Sequence, residues 1–322
     1  MEIKNFKSAD KFVILIDHLS KKVFDGAAYG KTIEVCEKKD HRTFNAKTKK
    51  NEVTDINSTF KLTFQPPKAL ADDNLKPTPL TMFDRAVYNA IVSEKYVGND
   101  TMSIASIFRL ISGKASGNKP IHSLYESQFD LIIESLKKLM SVRISLDNAE
   151  AYKILKLKGG VKIENRPILK NAELISPLDG VLNGQPAALF YMPKNTEPFL
   201  FHFAELKEQL LTIDRKLLDT GRLQNSADAI AVKHCVLYRA LEKNLKPVIR
   251  LDYVFEKCGI DFKKCNSRAA VSYKKQTLRN IMTAVMENLK TAGKISTYKW
   301  TDKFYSIEFT KPEKAKKSKD QY

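Results

Sequence analysis

The sequence predicts an α+β chain, mostly helical, that uses one layout twice: three helices followed by a β-hairpin. Three observations predict it. The first is the stretch from Ala270 to Thr310. Leu278, Ile281, Met282, Val285 and Leu289 recur at the spacing that lines one face of a helix. Gly293 supplies the stop. Two runs rich in β-branched and aromatic residues, Ile295–Trp300 and Phe304–Phe309, flank the turn Thr301-Asp302-Lys303. The second observation is that the same order stands earlier in the chain, between Thr81 and Leu157. The third is charge: Lys and Arg exceed Asp and Glu by 18. A balance this basic points to a polyanionic partner, of which nucleic acid is the commonest. Ribosome-associated and anionic-membrane proteins share that composition.

A helix with a basic, amide-bearing face followed by a charged hairpin is the layout of a winged helix. There the helix enters the DNA major groove and the hairpin touches the backbone beside it. A polar helix face is also what any solvated helix shows. The chain of 322 residues has room for about two domains. The expected division is 1–75, a region of unclear fold; 76–192, a first winged helix with an extended wing or small sheet; 193–311, a second winged helix; and 312–322, a disordered lysine-rich tail.

Residues 1–75 hold a short apolar run, Phe12–Ile16, and an expected strand at Thr59–Phe64. Gly26 to Thr32 resembles a phosphate-binding loop but is one residue short of the motif, and no long amphipathic helix follows it, so a plain turn is expected. Pro77 and Pro79 open the first unit. Thr81 caps a helix carrying Phe83, Val87, Ala90 and Ile91. Gly98-Asn99-Asp100 turns the chain into a second helix, Ser103 to Ile111, ended by Gly113. Ser123-x-x-Glu126 is a capping box for the third helix, striped by Leu124, Phe129, Ile132, Ile133, Leu136, Leu139 and Met140. Val142–Leu146 and Tyr152–Leu157 read as the hairpin. Residues 158–198 are rich in Gly and Pro, with a short strand at Ala187–Tyr191. The second unit is expected to open with a helix at Phe203–Leu211. Ser226 caps a long helix to Leu245, and a strand at Pro247–Leu251, a helix at Asp252–Cys258 and a loop at Gly259–Arg268 precede the final helix, expected to begin near residue 272.

Two tandem winged helices on a basic chain of this size resemble the initiator proteins of plasmids and related bacterial mobile elements, which bind repeated origin DNA. The stretch Thr81 to Tyr88, with Gly98-Asn99 and Ile107-Phe108-Arg109 up to Gly113, is also similar to a little-characterised family carried on mobile elements of Gram-positive bacteria. The resemblance covers residues 78–310 and rests on helix-packing patterns. It implies that the C-terminal winged helix reads the DNA repeat, that the N-terminal one binds DNA, dimerises or does both, and that host replication proteins are recruited. A transcriptional regulator with the same domains is the alternative. A protein-binding interaction module is the second alternative.

The residues expected to meet DNA follow from the helix and hairpin. Lys274, Lys275, Arg279, Lys299, Lys303 and the tail would neutralise phosphates, and Gln276, Arg279, Asn280 and Thr283 would face base edges. In the first unit Glu126, Asp130 and Glu134 form an acidic stripe on the third helix, and carboxylates repel phosphates. That unit is therefore expected to rely on Lys114, Lys119, Lys137, Lys138 and Arg143, or to serve protein contacts. Tyr298, Trp300 and Tyr305 have two readings: the seam of the wing against its own helix, or stacking on sugar or base. Arg85 and Arg109 could touch phosphate or form intradomain ion pairs.

No catalytic site is expected. The five histidines offer no metal-binding pair, Phe201-His202-Phe203 lacks the second histidine of a nickase motif, and adjacent His234 and Cys235 point about 100° apart on a helix. His202 is expected to pack or cap. The four cysteines have no zinc spacing and imply no disulfide framework. No metal or cofactor is expected, no apolar run is long enough to span a membrane, and no secretory leader is read, so a cytoplasmic protein with reduced thiols is the expectation.

Overall fold

Local chemistry explains where the helices start and stop. The Thr81 hydroxyl accepts from the Asp84 N–H at 3.3 Å, and the Asp84 carboxylate accepts from the Thr81 N–H at 2.7 Å, a complete capping box. The Ser103, Ser226 and Ser267 hydroxyls cap three more helices, accepting from the Ser106, Ala229 and Ala270 N–H groups without the reciprocal bond. Gly113, at φ +80°, closes the helix that Ser103 opens. The computed structural model describes residues 1–3, 8–24, 34–38, 41–45, 60–70, 75, 78–114, 126–146, 163–206, 208–221, 223, 225–242, 246–301 and 305–312.

In chain order the elements are β1 (Glu2–Ile3), β2 (Lys11–Leu15), α1 (His18–Phe24), β3 (Glu34–Lys38), β4 (His41–Asn45), β5 (Phe60–Phe64), α2 (Met82–Tyr96), β6 (Thr101–Ser103), α3 (Ile104–Ser112), α4 (Glu126–Ser141), β7 (Val142–Leu146) and β8 (Ile163–Pro167). Then come β9 (Glu173–Ile175), β10 (Val181–Leu182), β11 (Gln185–Pro186), β12 (Leu189–Tyr191), α5 (Phe199–Leu206), β13 (Leu210–Asp214), α6 (Ala227–Leu241), β14 (Val248–Arg250), α7 (Leu251–Lys257), α8 (Arg268–Thr291), β15 (Thr297–Thr301) and β16 (Ser306–Thr310). The fold is α+β with small sheets. The order helix, strand, helix, helix, hairpin occurs twice, at α2 to β8 and at α6 to β16.

The two occurrences use their strands differently. In the second, β14 joins the hairpin to give a three-stranded sheet of order β14-β16-β15. In the first, β6 leaves its hairpin and pairs with β12, which also pairs with β9. The hairpin β7–β8 instead extends a five-stranded sheet, β3-β4-β5-β7-β8. The described partner of β7 is thus Ile163–Pro167, inside the Gly- and Pro-rich stretch; the expected strand Tyr152–Leu157 lies outside the described residues. So do Gly26–Thr32, Ser123 and most of the tail.

Strand pairing crosses both boundaries drawn at 75/76 and 192/193. β5 pairs with β7, and β2 pairs antiparallel with β13 from Leu15↔Leu210 to Lys11↔Asp214. Residues 8–15 are stitched along α2. The Glu94 carboxylate accepts from the Ser8 hydroxyl at 2.6 Å and the Ala9 N–H at 3.2 Å, and the Ser93 hydroxyl accepts from the Val13 N–H at 2.8 Å. One contiguous apolar core runs from Ala9 to Phe309. The helix expected at Phe203–Leu211 is instead α5 followed by a strand. Glu208 adopts a left-handed φ of 54°, which breaks the helix, and Leu210–Asp214 is drawn into pairing with β2.

The two halves meet through buried polar groups. His234 of α6 donates from Nε2 to the Ile111 carbonyl at 2.9 Å, its Nδ1 accepts from the Tyr238 hydroxyl at 3.3 Å, and Phe12 packs on its ring at 5.1 Å. Burial pushes this imidazole down to about 3 from its ordinary 6.5. The unfolded imidazole takes up a proton near 6.5 and the folded one does not, so this contribution is present above 6.5 and is lost as pH falls toward 3. Lowering pH from 7 to 5 should therefore destabilise the wild type by about 2 kcal/mol more than His234→Gln, measured by urea unfolding at both pH values. Burial raises the Asp17 and Glu94 carboxyls, which acts in the opposite direction but equally in both proteins, and so cancels in the comparison.

Candidate nucleic-acid interface

The candidate interface is built on α8. Ser267 starts this helix about four residues earlier than its apolar stripe suggests. Leu278, Ile281, Met282, Val285, Met286 and Leu289 are buried, and they dock the helix on α6 and on the turn Arg215–Leu218. The Asn288 amide donates to the Leu217 and Asp219 carbonyls at 3.1 and 2.7 Å and so holds the C-terminal half in register. At the other end Phe262, itself packed edge-on against Phe255 at 5.0 Å, lies beneath Lys274 and Lys275.

The outward stripe then follows from 3.6-residue periodicity: Tyr273, Gln276 and Asn280 are exposed. The Gln276 side-chain amide donates to Asn280 Oδ1 at 2.9 Å, so the two amides stand as a pair one turn apart. Arg279 is half-buried, with its Nε buried and without a hydrogen-bond partner among the described residues. Lys275 is half-buried, its ammonium 5.2 Å from the Phe262 ring centre. Lys274 pairs with Asp228 at 2.7 Å.

The hairpin is pinned to the helix by side chains. The Trp300 indole N–H donates to the Thr283 hydroxyl at 3.0 Å, and that hydroxyl donates to the Arg279 carbonyl at 3.0 Å. The Tyr298 hydroxyl donates to Glu287 at 2.6 Å; burial first, then this carboxylate, pushes its pKa up and keeps it a donor. Of the two readings open for these aromatics, Tyr298 and Trp300 take the seam. Tyr305 is more exposed and lies under the Arg250 guanidinium, 5.8 Å from its ring centre. Thr283 is thus occupied in the helix–hairpin joint rather than standing on the open face. Lys299 pairs across the strands with Glu308 at 3.2 Å. Lys303 lies outside the described residues.

The first-unit cations are mostly engaged. Lys138 pairs with the buried Asp84 at 3.2 Å, and Lys114 pairs with Asp219 at 2.7 Å and donates to the Gly221 carbonyl. Arg143, on the interior strand β7, donates to the Asn165 carbonyl at 3.1 Å, and burial lowers its pKa. Lys137 is half-buried on α4 and also has a partner. Lys119 lies outside the described residues. Arg85 is buried, donating to the Leu15 carbonyl at 2.7 Å over the Tyr238 ring, so it is a core residue. Asp130 and Glu134 are exposed, as the acidic stripe predicts; nothing is described of the Glu126 side chain.

Two features escaped sequence reasoning. Arg268, Ser272 and Tyr273 stand exposed on the first turns of α8, Tyr273 at 69%. The N-cap Ser267 was the signal for them, hidden because the first apolar residue of the stripe comes eleven positions later. The second is a pocket of about 440 Å³ between the end of β8 and the start of α5, with Arg166, Lys170 and Lys194 in its wall. In the same wall, His202 is exposed and meets Glu197 at 3.4 Å rather than packing or capping. Glu197, His202 and Glu205 are the one grouping among the described residues with metal-ligand atoms within 4.8 Å, and all three are exposed. Cys235, Cys258 and Cys265 are free thiols. No helix among the described residues is long and apolar enough to cross a membrane.

No protein-family model and no curated protein matches the chain. Among solved structures, domains 2 and 3 of RctB are similar to it at a TM-score of 0.39 and 10% identity, over 91% of this chain and 98% of that one. A second structure of the same RctB domains scores 0.38 at 12% identity, over 89% and 97%. The Pi initiator protein in complex with iteron DNA scores 0.33 at 15% identity, over 72% of this chain and 92% of that one.

Proposed function

We propose that the chain is a sequence-specific, double-stranded DNA-binding protein whose C-terminal winged helix, within residues 193–311, carries the reading helix α8. The observation that carries this is the open face of α8: Gln276 and Asn280 paired and exposed, with Arg279 beside them, on a helix whose opposite face is buried. Amide side chains pair with adenine edges and guanidinium groups with guanine edges. The helix presents them without rearrangement, because Trp300, Tyr298 and Asn288 already hold it against the hairpin and the core. The hairpin beside it would take the backbone through Lys299 and Lys303, and the net positive charge supplies non-specific attraction to the duplex.

The finer reading is a replication initiator of a plasmid or related mobile element that binds repeated origin DNA, forms a dimer or array there, and hands the strained duplex to host replication proteins. It acts by binding, not by catalysis. A second reading, protein contact by the first unit, is favoured by the exposed carboxylates Asp130 and Glu134 on α4 and by the engagement of Lys114, Lys138 and Arg143 within the fold.

Arg279→Ala is expected to weaken specific binding by about 1–3 kcal/mol, the range of one bidentate base contact, with Gln276→Ala and Asn280→Ala in the same range. Because the two amides are bonded to each other, their double variant should lose less than the sum of the singles. Fluorescence anisotropy on cognate and random duplex checks this. Equal loss on both duplexes would mean these residues touch phosphate only, and no loss would remove them from the interface.

A further inference from the structure

The pocket between β8 and α5 is basic, concave and outside the interface on α8. At about 440 Å³ it has the volume of a small-ligand site. The chain builds it from three short pieces. β8 ends in Arg166-Pro167, and the exposed Arg166 guanidinium lies over the Phe199 ring, 4.8 Å from its centre. The following turn, with Asn171 at φ 54°, presents Lys170. The loop before α5 presents Lys194, with Asn195 and Thr196 beside it. The Phe199 N–H donates to the Ile168 carbonyl at 3.0 Å and so closes the two rims together.

Among the described residues neither Lys170 nor Lys194 has a hydrogen-bond or ion-pair partner, and the contact of Arg166 is to the ring. The one carboxylate in the wall, Glu197, faces His202. Three cations around a single concavity give it a positive potential that attracts an anion. Elsewhere in this chain the cations of the first unit found carboxylates: Lys95 pairs with Asp100, Lys114 with Asp219 and Lys138 with Asp84. The first N–H groups of α5 are already bonded, Leu200 to the Tyr88 hydroxyl and Phe201 to the Pro198 carbonyl, so recognition falls to the side chains. A guanidinium seated over an aromatic ring offers its planar fork to a phosphoryl group, and two lysines add point charge.

We propose that this pocket binds a phosphoryl group, carried either by the backbone of DNA or by a soluble phosphorylated ligand. Only the first source rests on the DNA-binding reading. The test uses the full chain and the variant Lys170→Ala/Lys194→Ala. Both side chains are exposed, and the variant is expected to match the wild type in circular dichroism and in melting temperature without ligand. In the first arm, inorganic pyrophosphate is titrated against chloride at matched ionic strength and the melting temperature is read. In the second, anisotropy on random duplex gives the slope of log affinity against log salt.

A flatter slope in the variant, by about 2 for two lost phosphate contacts, assigns the pocket to DNA backbone. An unchanged slope, with a pyrophosphate-dependent rise in melting temperature that the variant lacks, assigns it to a soluble ligand. If the variant matches the wild type in both arms, the proposal is overturned. If the wild type binds no duplex at all, the proposed function fails while the pyrophosphate arm alone still decides the pocket. Arg166→Lys, which keeps charge but loses the fork, should retain the salt slope and weaken pyrophosphate binding severalfold; full pyrophosphate affinity would contradict the guanidinium's place in the site.

Discussion

Gly113→Ala is expected to destabilise the protein by about 2–5 kcal/mol, from a left-handed backbone penalty of about 1–2 kcal/mol and an overpacking cost of about 1–3 kcal/mol. Gly113 sits at φ +80°, and a Cβ there would lie 2.3 Å from the Asp219 nitrogen and 2.4 Å from the Leu218 carbonyl carbon, both backbone atoms. The control is Gly98→Ala: φ is +88°, but nothing lies within 4 Å of an added Cβ, so only the backbone penalty applies. Urea unfolding of both variants measures the difference, and equal losses would mean that the turn at 218–219 yields freely.

The consequence reaches the proposed interface, because that turn is gripped from both sides. α3 closes on it through Gly113 and Lys114, and α8 holds it through Asn288. Lys233 is buried in the same junction, its ammonium donating to Asn225 at 2.5 Å and to the Ser112 carbonyl at 3.4 Å, with its pKa brought down to about 8, chiefly by burial. A strained Gly113→Ala protein should therefore also lose DNA affinity, although residue 113 is remote in sequence from α8.

Asp84→Ala is the second large effect, expected at about 3–5 kcal/mol, the range for breaking a buried ion pair. The carboxylate is almost fully buried. It accepts from the Thr81 N–H and hydroxyl at 2.7 and 2.9 Å, from the Ser135 hydroxyl at 2.8 Å and from Lys138 at 3.2 Å. Its removal takes away the cap of α2, about 1 kcal/mol by itself, and leaves Lys138 and Ser135 facing an empty site between α2 and α4. Lys138→Met should also destabilise, because it leaves the buried Asp84 carboxylate without its cation, but by less than Asp84→Ala, since the hydrogen bonds from Thr81 and Ser135 to that carboxylate remain. A mild Asp84→Ala together with a DNA-binding defect in Lys138→Ala would return Lys138 to the nucleic-acid surface.

These two sites show what a sequence can and cannot disclose. Thr81 and Asp84 announce a helix start, Gly113 and Gly293 announce helix ends, and the apolar stripe of α8 with its hairpin is periodic enough to read directly. Lys114, Lys138 and Lys274 looked like free cations because their partners, Asp219, Asp84 and Asp228, are 105, 54 and 46 positions away. Charge pairing at such separation leaves no local trace. The same holds for the sheets. The run Phe12–Ile16 is apolar but too short to declare strand or helix, and its pairing with β13 joins segments about two hundred residues apart. The pocket basics were invisible for the opposite reason: Arg166, Lys170 and Lys194 are scattered over a Gly- and Pro-rich stretch with no periodicity to gather them.

The central claim, that this chain reads duplex DNA through α8, is tested most directly by a gel shift of the full-length protein on DNA flanking its own gene against random duplex, at low and near-physiological salt, with Gln276→Ala/Asn280→Ala alongside. The account predicts discrete complexes on the flanking DNA that survive the higher salt, that ladder with repeats, and that fade in the variant. Complexes that vanish equally on both duplexes as salt rises, with the variant indistinguishable from the wild type, would contradict it.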